Sequence, residues 1–374
     1  MNFGFTEEQE LLRSEVRKFL DESCPLEMVR KITEDATGPG FSREHWQQIA
    51  ELGWLGLTIP EAQGGVGLGW VDLVVVLEET GRSLFPSPLV SSTLAAHAIR
   101  RFGSAAQQAR WLPPLADGTA IGTLALLEED GAPGPAGVRL AGRSAGKGLT
   151  LTGEKHFVGD AAAADLFVVA FRRGKSKELG LAVVERGTAG LAARDLPGID
   201  LTKRVGRIAL DRVRLDRSAV LAKGSTAAVA HLFDAGALAV TAEAVGAGEA
   251  ALQLTVQYAR QRIQFGRPIA TFQGVKHPLA EMYVDIQSFQ SLVYYAAWCL
   301  DHGHADLALA VSRAKAYASE VLPRIGIDVV QLHGGIGYTW EYDAQLYLKR
   351  AKWVRPAFGD ADWHYERVAS LGGI

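Results

Sequence analysis

Apolar residues along this chain follow a helical period, then a strand period, then the helical one again. Leu11, Leu12, Val16, Phe19 and Leu20 recur at helical spacing after Thr6-Glu-Glu-Gln9, where Thr6 as N-cap and Gln9 at the third helical position form a capping box. Pro25 stops that helix. A second run follows Phe41-Ser42, carries Trp46, Ile49, Ala50 and Leu52, and ends at Gly53. The helical texture lasts to about Ala120. From Ile121 to Lys223 short β-type runs replace it, with strands expected at residues 123–127, 149–153, 166–171, 181–184 and 208–213, spaced as in a small barrel or sandwich. The Gly- and Pro-rich stretch 131–148 is expected as a loop or hairpin tip. Helices then return at 227–262, 277–302, 306–332 and 341–351, which an antiparallel bundle would bury.

The fold expected is therefore mainly α with a central β domain, divided into residues 1–120, 121–224 and 225–374. A length of 374 residues agrees, since a single core of that size is uncommon. A hydrophobic share of 48% with 22% charged residues is that of a globular protein with ample core material. The net charge of -3 argues against a nucleic-acid-binding surface. Cys24 and Cys299, far apart and without a secretory signal, read as reduced thiols and place the protein in the cytoplasm. No apolar run of about 18 residues predicts a membrane span.

Several motifs carry no chemistry on this reading. Gly64 to Gly69 has neither a following Lys-Ser/Thr nor a GxGxxG register, so a loop is expected there rather than a phosphate cradle. His302-Gly-His304 and Asp360-Ala-Asp-Trp-His364 lack the spacing of a metal site. Two other stretches do carry chemistry. Arg262 ends a helix that Pro268 prevents from continuing, so a guanidinium fork projects from a helix terminus, as pyrophosphate recognition requires. Gly334 and Gly335 allow a backbone to approach a ligand closely. Glu243 lies in an apolar helical stretch, where an acid is costly unless it is hydrogen-bonded, ion-paired or used as a base.

Arg-x-x-Phe-Gly-x-Pro at 262–268, Phe272-Gln273 and Gln-x-x-Gly-Gly-x-Gly at 331–337 occur in order, and through them the chain resembles the acyl-CoA dehydrogenase family over essentially its whole length. The resemblance implies a helical N-domain, a β-barrel middle domain and a C-terminal four-helix bundle. It also implies FAD as cofactor, acyl-CoA as substrate and an electron-transfer acceptor protein as partner. The reaction would be α,β-desaturation of the thioester, with hydride passing from Cβ to FAD while a carboxylate removes the Cα proton. FAD would lie between the β domain and the bundle of one subunit, with a neighbour's bundle reaching over it. Arg262, Gln264, Phe272 and Gln273 match that neighbour-reaching pyrophosphate segment, and Gln331, Gly334 and Gly335 the loop at the adenosine end.

The flavin-holding half departs from the family. Leu127-Glu-Glu-Asp-Gly131 stands where Thr-Glu-Pro is usual, and no Gly-Ser-Asp follows. After Gly153-Glu-Lys155 comes Phe157-Val-Gly-Asp160 in place of Trp-Ile-Thr-Asn, so Gly159 brings no hydroxyl. The two positions that hold the base in the family correspond to Phe358 and Gly236. Glu243 and Asp234 are the candidates for a relocated base, whereas Glu341 is expected to be a helix cap or ion-pair partner. The pattern resembles the auxiliary, base-lacking subunit of a heteromeric acyl-CoA dehydrogenase, of the sort acting on bulky fatty or steroid side-chain thioesters. A self-sufficient homotetramer with a relocated base is the alternative, and a structural relative without flavin the third.

Overall fold

The computed structural model of the chain describes residues 5–35, 38–145, 148–174, 176 and 178–374. Helix α1 (Glu7–Ser23) begins at the expected capping box: Thr6 Oγ1 accepts from Gln9 N at 3.2 Å and Gln9 Oε1 accepts from Thr6 N at 3.1 Å. Pro25 ends it, and a further helix, α2 (Leu26–Glu34), restarts immediately. Ser42 caps α3 (Arg43–Glu51) through His45 N. Helices α4 (Trp70–Arg82), α5 (Leu89–Phe102) and α6 (Ala105–Ala116) complete the N-terminal helical run.

A curled sheet, half of a barrel, follows. Its strands are β1 (Gly122–Ala125), β2 (Ala141–Ala145), β3 (Gly148–Gly159), β4 (Leu166–Arg173), β5 (Leu179–Glu185), β6 (Leu191–Leu196) and β7 (Val205–Asp216), in the order β1-β4-β2-β3-β7-β6 with β5 on β4. The contacts β1 with β4 and β2 with β4 are parallel, and the rest are antiparallel. Residues 131–148 are thus not simply a loop. Ala141 to Ala145 pair in register with Thr152 to Gly148, because backbone pairing makes a strand of a segment whose side chains give little β preference. β6 is likewise a strand absent from the sequence reading. Phe167 to Phe171 on β4 are buried without a break, as expected for a strand covered on both faces, whereas β3 alternates between buried and accessible positions. Ala95 of α5 and Leu115 of α6 lie against Gly122, where a Cβ would come 2.6 Å and 3.0 Å from their side chains.

The remaining helices are α7 (Thr226–Gln261), α8 (Gln273–His302), α9 (Leu307–His333), α10 (Ala344–Val354) and α11 (Ala361–Gly372). Helix α7 is long and apolar enough by composition to cross a membrane, yet 89% of its most apolar stretch is buried inside the fold. Helix α9 packs against α8, α10 and α11. The chain divides into two compact units. One holds the chain up to Lys31 together with Trp70–Phe85 and Ala237–Ile374; the other holds Ile32–Gly69 and Pro86–Gly236. Within the first unit, α4 and α7 touch backbone to backbone. A Cβ on Gly81 would overlap the Glu243 carbonyl, and one on Gly246 the Glu78 carbonyl. Both glycines are there to permit that approach.

Candidate functional site

In the first unit, α7 stops at Gln261 and Arg262 N still donates to Tyr258 O at 2.8 Å. The chain then turns back. Ile263–Gln264 (β8) pairs with Arg267–Pro268 (β9) around Phe265 and Gly266, whose φ values of 52° and 75° are those of a two-residue hairpin turn. The helix is therefore ended by this hairpin before Pro268 is reached. Arg262, Gln264 and Gln273 are exposed, and Phe272 is half-buried with the Arg267 guanidinium 4.2 Å above its ring. Among the described residues, Arg262 makes no ion pair.

A second helix end lies beside the first. Helix α9 finishes at His333, and Gly334 follows with φ 63°. A Cβ on Gly334 or Gly335 would meet nothing within 4 Å, so their backbone is open to approach; both are exposed, as is Gln331. The link is a run of tilted aromatic rings that no local spacing signals: Tyr258 lies 4.5 Å from His333, and His333 4.9 Å from Tyr342, centroid to centroid. His333 is oriented by donating from Nδ1 to Val329 O at 2.7 Å. These ring contacts bring the helix end carrying Arg262 to the one carrying Gly334. An exposed guanidinium fork has the geometry to bind a phosphate bidentately, and the two open glycine backbones allow a ligand to approach closely.

In the second unit, Lys155 is fully buried and donates to Leu126 O at 2.9 Å and to Glu128 Oε1 at 3.1 Å. Glu128 Oε1 also accepts from Arg139 N at 2.6 Å and Leu140 N at 2.7 Å. Burial pushes the Lys155 ammonium down to about 8, and the adjacent Glu128 opposes that fall. One carboxylate thus ties the crossing 126–140 to β3. The two residues were visible in the sequence, but no local signal pairs them. Phe157, at φ 55°, remains 52% exposed, and a Cβ on Gly131 would stand 3.4 Å from its ring.

Phe358 lies half-buried on the turn between α10 and α11, with φ 57°, ahead of Gly359 at φ 106°. The nearest acid in sequence, Asp360, caps α11 by accepting from Trp363 N at 3.0 Å. Gly236, Asp234 and Glu243 are all buried in α7, Asp234 at 5% and Glu243 at 2% exposure. Glu341 is exposed and precedes α10, whose N-cap position is Asp343 with no side-chain capping hydrogen bond, so Glu341 does not cap the helix. Among the described residues, Glu341 makes no ion pair either.

Comparison with known proteins agrees with this architecture. The models of the acyl-CoA dehydrogenase N-terminal and C-terminal domains match residues 6–119 and 222–371. The chain belongs to the acyl-CoA dehydrogenase family. It is 30% identical to the probable acyl-CoA dehydrogenase YngJ of Bacillus subtilis over 97% of each chain. Its fold matches a chain of the ChsE4-ChsE5 complex from Mycobacterium tuberculosis with TM-score 0.91 and 30% identity, covering 100% of this chain and 99% of that one. It also matches a variant of the Tcur3481-Tcur3483 steroid ACAD with TM-score 0.88 and 30% identity, over 98% of each. FAD-dependent dehydrogenation is general in the family.

Proposed function

We propose that this chain is a subunit of an FAD-dependent acyl-CoA dehydrogenase and that it completes the FAD site of a partner subunit in a heterotetramer. The observation that carries this reading is the exposure of Arg262, Gln264, Gln273, Gln331, Gly334 and Gly335. Among the described residues the side chains of Arg262, Gln264, Gln273 and Gln331 make no hydrogen bond or ion pair, and Phe265 and Tyr338 beside them are 90% and 86% exposed, an apolar rim suited to a neighbour. Meanwhile residues 358 and 236 are Phe and Gly. FAD, when bound, supplies the hydride acceptor. Arg262 would neutralise its pyrophosphate, Gln264, Phe272 and Gln273 would line that segment, and the Gly334-Gly335 backbone would admit the adenosine. The carboxylate that removes the Cα proton would come from the partner. The likeness to the ChsE4-ChsE5 complex supports heteromeric assembly, and that to the steroid ACAD supports a steroid acyl-CoA as substrate. An electron-transfer acceptor protein would reoxidise the flavin, in the cytoplasm.

The test is to purify the chain alone and co-expressed with a candidate partner dehydrogenase subunit. Colourless protein alone and yellow, active complex together are expected. Arg262→Ala should weaken flavin retention in that complex by about 10- to 100-fold, the value of a charge-assisted contact. Flavin absorbance and acyl-CoA turnover by the lone chain would overturn the reading. In that case, loss of turnover in Glu243→Gln or in Asp234→Asn would identify the relocated base.

A further inference from the structure

The outer face of the sheet is basic, in a chain whose net charge is -3. On β7, Ile208, Leu210, Val213 and Leu215 are buried, which leaves Arg207 and Arg214 facing outward. Register places Arg143 of β2 and Arg214 of β7 on either side of Thr150 of β3, each directly opposite it. Neighbouring strands lie about 4.8 Å apart, so the two arginine backbones are about 10 Å apart with a hydroxyl between them. A bulge on β7 between Leu210 and Val213 adds the exposed Arg212, in left-handed backbone with φ 52°. Further along, Arg194 of β6 stands directly opposite Arg207, a like-charge pairing that costs the sheet stability. Three carboxylates share this face. Glu154 Oε2 accepts from Arg207 Nη1 at 2.9 Å, Asp211 lies 3.3 Å from Arg212 Nε, and Asp216 is exposed at the end of β7. The side chains of Arg143, Arg194 and Arg214 make no hydrogen bond or ion pair among the described residues.

We infer that this face docks an acidic segment of a partner protein, a run of aspartate and glutamate side chains laid along the strands. Guanidinium forks take carboxylates bidentately, and arginines that no internal acid neutralises are left for an external one. Their spacing sets the length of the segment. Arg207 and Arg214 are seven positions apart on β7, one of them taken up by the bulge, which is about 20 Å along the strand. An extended segment of about seven residues spans that distance, with carboxylates on Arg143 and Arg214 at one end and on Arg194 at the other. Between the two groups lie Thr150, Thr152 and Ala209, which offer no ring for a base to stack on, so the face suits an acidic protein rather than a nucleic acid. It lies wholly within the second unit and uses none of the residues that would hold the cofactor.

The experiment titrates fluorescein-labelled octaglutamate with the full chain and follows fluorescence anisotropy at low and at physiological salt. Saturable binding that weakens as salt is raised is expected. Arg143→Glu/Arg214→Glu should weaken it by about tenfold or more, since attraction becomes repulsion at two positions. Arg143→Lys/Arg214→Lys, which keeps the charge and loses the forks, should weaken it by less. Arg194→Glu should also weaken binding while raising the thermal unfolding midpoint slightly, because it replaces a like-charge pair with Arg207 by an opposite-charge one. That opposition of binding and stability is what a docking role predicts and a structural role does not. Arg313→Glu, at an exposed position on α9, is the control and should leave the titration unchanged. Absence of saturable binding, or binding that charge reversal at 143 and 214 leaves unchanged in a folded chain, would overturn the inference. So would tighter binding of a single-stranded oligonucleotide of equal charge.

Discussion

Lys315 Nζ donates to the Gly359 carbonyl at 2.9 Å across 44 residues of chain. The same ammonium donates to Arg355 O at 3.0 Å and to Ser319 Oγ at 2.7 Å, so its three hydrogens are all placed. The turn that carries Phe358 is thereby clipped to α9. Burial pushes the Lys315 ammonium down to about 7. Lys315→Met would leave the Gly359 carbonyl without its donor and the Arg355 carbonyl with only the 3.4 Å bond from Ser319 Oγ, and at about 1–3 kcal/mol for a buried unpaired acceptor a loss of roughly 1–3 kcal/mol is expected. Urea unfolding would measure it, and amide exchange should quicken across residues 355–360. Unchanged exchange there would show that the turn holds itself.

Gly81 predicts a sharp packing effect. Its missing Cβ is what lets α4 reach the Glu243 carbonyl on α7, so Gly81→Ala must push the two helices apart. Overpacking of this kind costs about 1–3 kcal/mol. Gly274→Ala is the control, because a Cβ there meets nothing within 4 Å and should leave the urea midpoint unchanged or raise it slightly.

The pair His97 and His231 predicts acid sensitivity. Their Nε2 atoms lie 2.9 Å apart, a contact in which one neutral ring donates and the other accepts. Burial, then the neighbouring His231, Arg101 and Arg100, hold His97 well below the ordinary histidine value. Burial and Arg101 push His231 down to about 4. In the unfolded chain both rings protonate near pH 6.5, so the unfolded state binds more protons across the interval below it. Stability contributed by the pair is present above about pH 6.5 and is lost as the pH falls through about 4. Thermal unfolding midpoints should drop over that window, and His97→Gln/His231→Gln should flatten the drop.

How far such features were legible depended on the range of the interaction that makes them. The Thr6 capping box spans three residues and is legible locally, and the proline-free run at 227–262, which predicts one helix or two in line, forms the single helix α7. β2 and β6 were not, because Ala-Gly-Arg-Ser-Ala and Leu-Ala-Ala-Arg-Asp-Leu have little intrinsic strand character. Their conformation is conferred by partners: β3 and β4 in one case, β7 in the other. Pro268 looked like the helix stop, but a hairpin turn at Phe265-Gly266 acts first.

By itself the sequence determined the class of fold, the family, and the two motifs that carry the family resemblance, because periodicity and motif spacing are properties of contiguous chain. Only the tertiary structure decided which distant residues meet. It set Tyr258 on His333, so that the two motifs share one end of the bundle, and placed Lys155 on Glu128. It also brought Ser91 to Asp160 across 69 residues, into the space that Gly159 leaves. Such contacts depend on how helices and strands pack, and no local spacing encodes them.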